Sequence, residues 1–356
     1  MPEINPEMQA QLEEQKKNCP FCKIIKGEIP SNNVYKDGVM NGILDINPCT
    51  KGHILLLPNE HYPILPVLPP DVFKHMFGTL PNIVGALKKA MLSTGANVFI
   101  ANGGIAGQQA PHFLIHLIPR EEGDKIYNFA LDKDKKLDSK KLDEVKSLVS
   151  GNFPIMMQNH FNRNPAEWHN GKIETADYLS DVGKVYEDEK VVCAIPANPQ
   201  CVGHLVIYSQ EEEANFEKLN EESSAHMFYA ASFASTAVFE GLKAQGSNII
   251  LKSGMSDDNP SGKLCIHVLP RFEGDGIDVI CKPMSKKPDL VAIAANIKDK
   301  MFIVENSDKK EEKEVIDLDE REKIIKMSLG ESSEEDSKDI SPEEEIKKAI
   351  EEMKKS

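Results

Sequence analysis

The chain has 356 residues, 40% hydrophobic and 28% charged, with a formal net charge of −15. That length allows about two domains with sizeable cores, and the acidic balance argues against a protein that clamps duplex nucleic acid by counterion release. No run of 18 apolar residues occurs and residues 1–17 are polar, so a membrane-spanning helix is excluded, no secretory leader is read, and the expected compartment is the cytoplasm.

The first 18 residues are expected to form a helix, over about Pro6 to Lys17, that serves as scaffold. Cys19 and Cys22 follow at a spacing that lets one knuckle present two thiolates to a metal, or serves redox chemistry. The seven cysteines are odd in number and sparse, which argues against a disulfide framework; Cys49, Cys193, Cys201, Cys265 and Cys281 read as ordinary buried thiols. Short strands are expected over Asn33–Tyr35 and Gly42–Asp45, and a buried one over Gly52–Pro58, an apolar run closed by proline. From Asp71 to Leu92 apolar residues recur at helical spacing. A strand over Asn97–Ala101, a glycine-rich loop over Gly103–Gly107 and a strand over Phe113–Ile118 complete the set, and Ser139 to Ser150 reads as helix.

The chain then repeats itself at an offset of 151 residues. Val34-Tyr35 with Asp37 returns as Val185-Tyr186 with Asp188, Gly52-His53 as Gly203-His204, Asn97 as Asn248, Gly103 as Gly254, and His116 with Pro119-Arg120 as His267 with Pro270-Arg271. A register held from residue 34 to 124 marks a duplicated domain rather than a solenoid unit. The expected divisions are 19–125 and 175–302 for the two copies, 126–174 for a linker with a helix, and 303–356 for a tail. From 308 onward there are 18 acidic and 11 basic residues and no aromatic, a composition that cannot offset its ordering entropy by burial. The tail reads as a solvated segment, with a protein partner for it as the competing reading.

The stretch from Asn102-Gly103 through Ala106-Gly107-Gln108 to His112-Phe113-Leu114-Ile115-His116-Leu117-Ile118-Pro119-Arg120 resembles the histidine-triad (HIT) family of nucleotide-binding hydrolases and transferases. Cys19-Pro-Phe-Cys22, Leu44-Asp45-Ile46-Asn47-Pro48 and Gly52-His53 are similar to the family's upstream segments. The resemblance implies an α+β fold: two tandem HIT-like domains, each a mostly antiparallel sheet of about five strands with a long helix. They would be paired as an intramolecular pseudo-dimer, with further homodimers left open. It implies zinc held by Cys19, Cys22, His61 and His112. It also implies a purine nucleotide whose base lies among Ile24, Ile25, Ile43 and Ile46, whose ribose meets Asp45, and whose α-phosphate is surrounded by Asn102, Gly107, Gln108 and His116. For the isoleucines, plain core packing is the competing reading.

The family's chemistry needs a nucleophilic histidine between the outer two. Here that position is Leu114, which has no lone pair to form a phosphoramidate. In the second copy Lys263 and Cys265 replace the first two histidines and only His267 persists. Lys263 or His267 would have to depress the Cys265 pKa before it served as a nucleophile, and it reads as an inert strand cysteine. Asp257-Asp258 would repel a phosphate, and Glu212 stands where His61 does, so this copy is expected to bind no zinc. His53 and His204, present in both copies, read as structural. The leading reading is a catalytically degenerate HIT protein, zinc-stabilised and nucleotide-binding. The alternatives are a nucleotidyl hydrolase or transferase using a displaced nucleophile or a water activated by His116, and a scaffold that recruits partners through the acidic tail.

Overall fold

The computed structural model describes residues 13–124, 126, 137–169, 183–211, 213, 215–256, 259, 262–277 and 282–308, with 302–308 as backbone. The described part of the N-terminal segment is helical over 13–18. The tail beyond Asp308, with Asp257-Asp258 and Glu212, lies outside the described residues. No described helix is long and apolar enough to cross a membrane.

In chain order the elements are α1 (Pro20–Ile25), β1 (Asn33–Lys36), β2 (Met40–Leu44), β3 (Ile54–Pro58), α2 (Pro70–Met91), β4 (Gly95–Asn102) and β5 (Ile115–Arg120). The second copy follows α3 (Ser139–Arg163) with β6 (Gly183–Glu187), β7 (Val191–Ile195), β8 (Leu205–Ser209), α4 (Glu221–Leu242), β9 (Gly246–Ser253), β10 (Cys265–Arg271) and α5 (Leu290–Asp308). The strand expected from Phe113 begins only at Ile115, and Pro119 does not end it but sits inside β5 opposite Ala96. The helix expected to stop at Ser150 continues through Pro154 to Arg163.

The ten strands form one sheet, β1-β2-β3-β5-β4-β9-β10-β8-β7-β6, with antiparallel pairs throughout. The two copies meet at β4 and β9, where Phe99 pairs with Ile250, its own counterpart in the repeat. The helices meet the same way: Phe77 of α2 stacks on its counterpart Phe228 of α4 at 4.4 Å. Residues that pair with their own counterparts lie on a pseudo-two-fold axis, so duplication alone generates a self-complementary interface. The seam requires glycine. A Cβ on Gly246 would stand 2.6 Å from the Asn102 carbonyl oxygen, and one on its counterpart Gly95 2.9 Å from the carbonyls of Ser253 and Met255. Asn248 donates across the seam to the Ala106 carbonyl at 2.8 Å.

Each copy sends a helix across the axis. α3, which follows the first copy, packs on α4 and β6 of the second, and α5 packs on α2 and β1 of the first. Their buried apolar residues, Val145 and Val149 in α3, Ile297 and Met301 in α5, are spaced alike. The recurrent Pro-Arg also has a structural role: Arg120 and Arg271 are buried and clasp Asp124 and Asp275 through Nε at 2.6 and 2.7 Å.

On the helix side of the sheet, a Tyr–Asp–His network recurs. Asp188 accepts from Tyr186 Oη and faces His226 Nε2, both at 2.8 Å, and its other oxygen accepts the Lys190 and Val191 amides. Asp37, Tyr35 and His75 repeat this in the first copy. The difference is cover: the His226 and Asp188 side chains are 4% and 2% exposed, against 33% and 21% for His75 and Asp37. Removing one member of a buried pair costs about 3–5 kcal/mol, and of an exposed pair about 1 or less. Urea unfolding is therefore expected to show a far larger loss for His226→Ala than for His75→Ala. Burial opposes ionisation of Asp188, but the bonds from His226, Lys190 and Tyr186 outweigh it and hold its carboxyl below the ordinary value. A depressed carboxyl contributes stability above its unfolded pKa, about 4, and loses it as pH falls through the folded value. The wild-type chain is thus expected to lose stability below about pH 4, and the His226→Ala variant to show less of this acid dependence.

Candidate metal centre and nucleotide site

Three distant segments bring the four predicted ligands together. Cys19 and Cys22 bracket the start of α1, His61 follows β3, and His112 precedes β5. All four ligand atoms lie within 4.8 Å of one another. Cys22 Sγ is 3.3 Å from His61 Nδ1 and 3.7 Å from His112 Nδ1, Cys19 Sγ is 3.6 Å from His112 Nδ1, and the two Nδ1 atoms are 3.3 Å apart. A tetrahedral zinc with Zn–S of about 2.3 Å and Zn–N of about 2.05 Å sets S–N edges of about 3.6 Å and an N–N edge of about 3.3 Å. The residues fit the ion. His112 Nε2 lies 3.2 Å from the Pro58 carbonyl, which can only accept, so that nitrogen carries the proton and Nδ1 keeps its lone pair for the cluster. Burial, with the neighbouring Cys19, pushes the Cys22 thiol up to about 12, and burial pushes His112 down to about 4. A cation is the group that makes thiolates acceptable there.

Beside this cluster lies the triad remnant. Leu114 is half-buried and packs with Phe21, Ile24 and Ile25 on the cluster of Ile43, Leu55 and Leu57. Three of the four base-site isoleucines therefore share one apolar surface, whereas Ile46 is 65% exposed and stands apart from it. His116 is half-buried, and its Nδ1 lies 3.0 Å from His53 Nε2. Asp45 Oδ2 is 3.5 Å from His53 Nδ1. Asp45, His53 and His116 also lie close enough to share a metal. The second copy argues against that, since His204 and His267 repeat the pair at 3.0 Å with Pro196 in place of the carboxylate. The histidine pair is a hydrogen bond. Burial pushes His53 and His116 down to about 3, so both rings are neutral. A carboxylate accepts, so Nδ1 of His53 carries its proton, its Nε2 accepts from His116, and His116 Nε2 is left as a lone pair.

The loop between β4 and β5 turns on Gly103 (φ 88°) and Gly107 (φ 92°), conformations that favour glycine. Two of the predicted phosphate residues work inside this frame. Asn102 accepts from the Leu65 amide at 3.1 Å and reaches Ser247 of the other copy at 3.3 Å. Gln108 accepts from the Gly103 amide at 2.8 Å and donates to the Pro63 and Ala110 carbonyls. Their amide groups hold the cradle's shape.

The HIT domain family matches the chain twice, at residues 26–123 and 180–274, together more than half its length. The chain belongs to the HIT family. It is similar to an adenylylsulfatase of Arabidopsis thaliana, 42% identical over 134 residues, which are 37% of this chain and 66%, just under two thirds, of that protein. An uncharacterised HIT-like protein of Methanocaldococcus jannaschii is 41% identical over 129 residues, 36% of this chain and 98% of its own. A zinc-bound histidine triad family protein of Mycobacterium smegmatis, a solved structure, is 35% identical, spanning 31% of this chain and 80% of that one, with a TM-score of 0.30.

Within this HIT pair, the reading that treated every cysteine outside the CxxC as a plain thiol needs one correction. Cys49 is disulfide-bonded, while Cys19, Cys22, Cys193, Cys201 and Cys265 are in no disulfide. An odd, sparse set of cysteines carries no signal for a single crosslink, because proximity is created by the fold. The partnership of His53 with His116 was signalled only by the recurrence of Gly-His in both copies. Cys265, for its part, lies 3.4 Å from His267 Nε2.

Proposed function

We propose that this chain is a zinc-stabilised HIT protein whose first domain binds a purine nucleoside monophosphate and has lost the covalent step of the family. The observation that carries this reading is Leu114. It stands between a His112 turned into the metal cluster and a His116 bonded to His53, beside a glycine loop whose frame is intact. The apolar surface of Ile24, Ile25 and Ile43 suits a base, Asp45 suits the ribose hydroxyls, and the loop from Gly103 to Gln108 with His116 suits the phosphate. Asn102 and Gln108 act on the phosphate by positioning that loop.

Calorimetric titration of AMP, with GMP alongside, into the zinc-loaded chain tests this. Saturable binding that is lost in Asn102→Ala is expected. No heat up to about 1 mM, a free energy near −4 kcal/mol, sinks the nucleotide reading and turns the search to protein partners of the acidic tail.

A second reading is favoured by the proton direction at His116. Its Nε2 keeps a lone pair that can accept a hydrogen bond from a water beside the phosphate. The adenylylsulfatase named above makes adenylylated substrates the natural assay. Turnover by the wild-type chain that disappears in His116→Ala, with AMP binding retained and no nucleotidyl-protein adduct trapped in the wild type, is the result expected of hydrolysis without a covalent intermediate.

A further inference from the structure

In the second domain the residue at the nucleophile position is Cys265, and its surroundings differ in kind from those of Leu114. The Gln200 backbone N–H donates to His204 Nδ1 at 3.1 Å, His204 Nε2 lies 3.0 Å from His267 Nδ1, and His267 Nε2 lies 3.4 Å from Cys265 Sγ. A backbone amide can only donate. It occupies the lone pair of His204 Nδ1, so that neutral ring carries its proton on Nε2 and gives it to His267 Nδ1. His267 in turn carries its proton on Nε2, aimed at the sulfur. Burial keeps both rings neutral, His204 at about 3 and His267 well below its ordinary value. The proton direction is the reverse of that in the first domain, because an amide donor stands where Asp45 accepts.

A cationic residue shares this face. Lys252 pairs directly with Cys265 across β9 and β10, is buried, and its positive charge acts on both His204 and His267. A sulfur that faces an N–H donor beside an ammonium is stabilised as thiolate, which is the nucleophilic form.

We propose that Cys265 is a second reactive site, a thiolate that takes hydroperoxides as co-substrate, independent of any nucleotide bound by the first domain. The sulfur lone pair attacks one peroxide oxygen. An S–O bond forms as the O–O bond breaks, and the leaving hydroxide or alkoxide takes up the proton that the thiol released to solvent on becoming the thiolate. Sulfur loses two electrons to become a sulfenic acid and the peroxide gains them.

Cys201 is the internal control, being outside any disulfide and 7% exposed against 8% for Cys265, so access is matched. Its sulfur donates to the Pro270 carbonyl, an environment that disfavours thiolate. The full zinc-loaded chain is treated with iodoacetamide at pH 7 and, separately, with hydrogen peroxide followed by dimedone, and each cysteine is read by peptide mass. Cys265 is expected to alkylate at least about tenfold faster than Cys201 and to carry the dimedone adduct. His267→Leu, which has no N–H to offer the sulfur and is checked for native circular dichroism, is expected to remove that advantage. Equal rates at Cys265 and Cys201, an absent dimedone adduct, or an unchanged rate in folded His267→Leu each overturn the proposal. Should His267→Leu fail to fold, the wild-type comparison decides by itself.

Discussion

Leu114→His is expected to raise adenosine phosphoramidase activity of the zinc-loaded chain by at least about 10³-fold over Leu114→Ala, since removing an essential nucleophile from a covalent enzyme costs about 10⁶ in kcat. The physical case rests on position. Residue 114 lies two before His116, is half-buried rather than sealed, and borders the apolar surface of Phe21, Ile24 and Ile25. A histidine there has room to meet an α-phosphate held by the Gly103–Gln108 loop, whose frame does not involve residue 114. Phosphoramidate cleavage followed by chromatography, with trapping of a nucleotidyl-histidine peptide at position 114, is the measurement. A folded, AMP-binding Leu114→His protein that performs no better than Leu114→Ala places the nucleophile elsewhere.

Loss of the metal is the other large effect. Chelation, or Cys22→Ser, is expected to lower the melting temperature by on the order of 10 °C. A ligand present at 1,000-fold its Kd contributes about 4 kcal/mol, and each kcal/mol moves the midpoint by about 2–4 °C in domains of 150–250 residues. Cys19, Cys22 and His112 are each no more than 5% exposed, so without the cation their polar atoms face one another in a dry cluster. Native mass spectrometry is expected to find one zinc per chain, falling to none in Cys22→Ser, and differential scanning calorimetry reads the midpoint. An unchanged midpoint in the metal-free chain would show that Cys19, Cys22, His61 and His112 pack as neutral groups and would remove zinc from the account of stability.

Much of this was legible in the residues. The duplication, the long helix over 70–91 and most strands of the first copy follow from period and spacing, which are local properties of the chain. The four residues of the candidate metal cluster were legible through the family resemblance, since residue types and their order survive in the sequence even when 93 residues separate Cys19 from His112. That residue 114 is not the family's nucleophile was legible from its identity alone, because leucine cannot do that chemistry in any surroundings.

What only the tertiary structure decided are matters of partnership. Nothing local told that Phe99 would pair with Ile250 and Phe77 stack on Phe228, that α3 and α5 would cross to the opposite copy, or that Cys49 would be crosslinked. Nor did the residue names show that Asn102 and Gln108 spend their amides on the loop, or that Ile46 would stand in solvent. The clearest case is the two histidine pairs. His53–His116 and His204–His267 have the same residues, spacing and 3.0 Å contact, yet carry their protons in opposite directions. A carboxylate backs one pair and a backbone amide the other. By itself the sequence determined which groups the chain owns and how often they recur. The proton's direction was decided by which donor or acceptor the fold brought to each ring, because a neutral imidazole takes its tautomer from its neighbours.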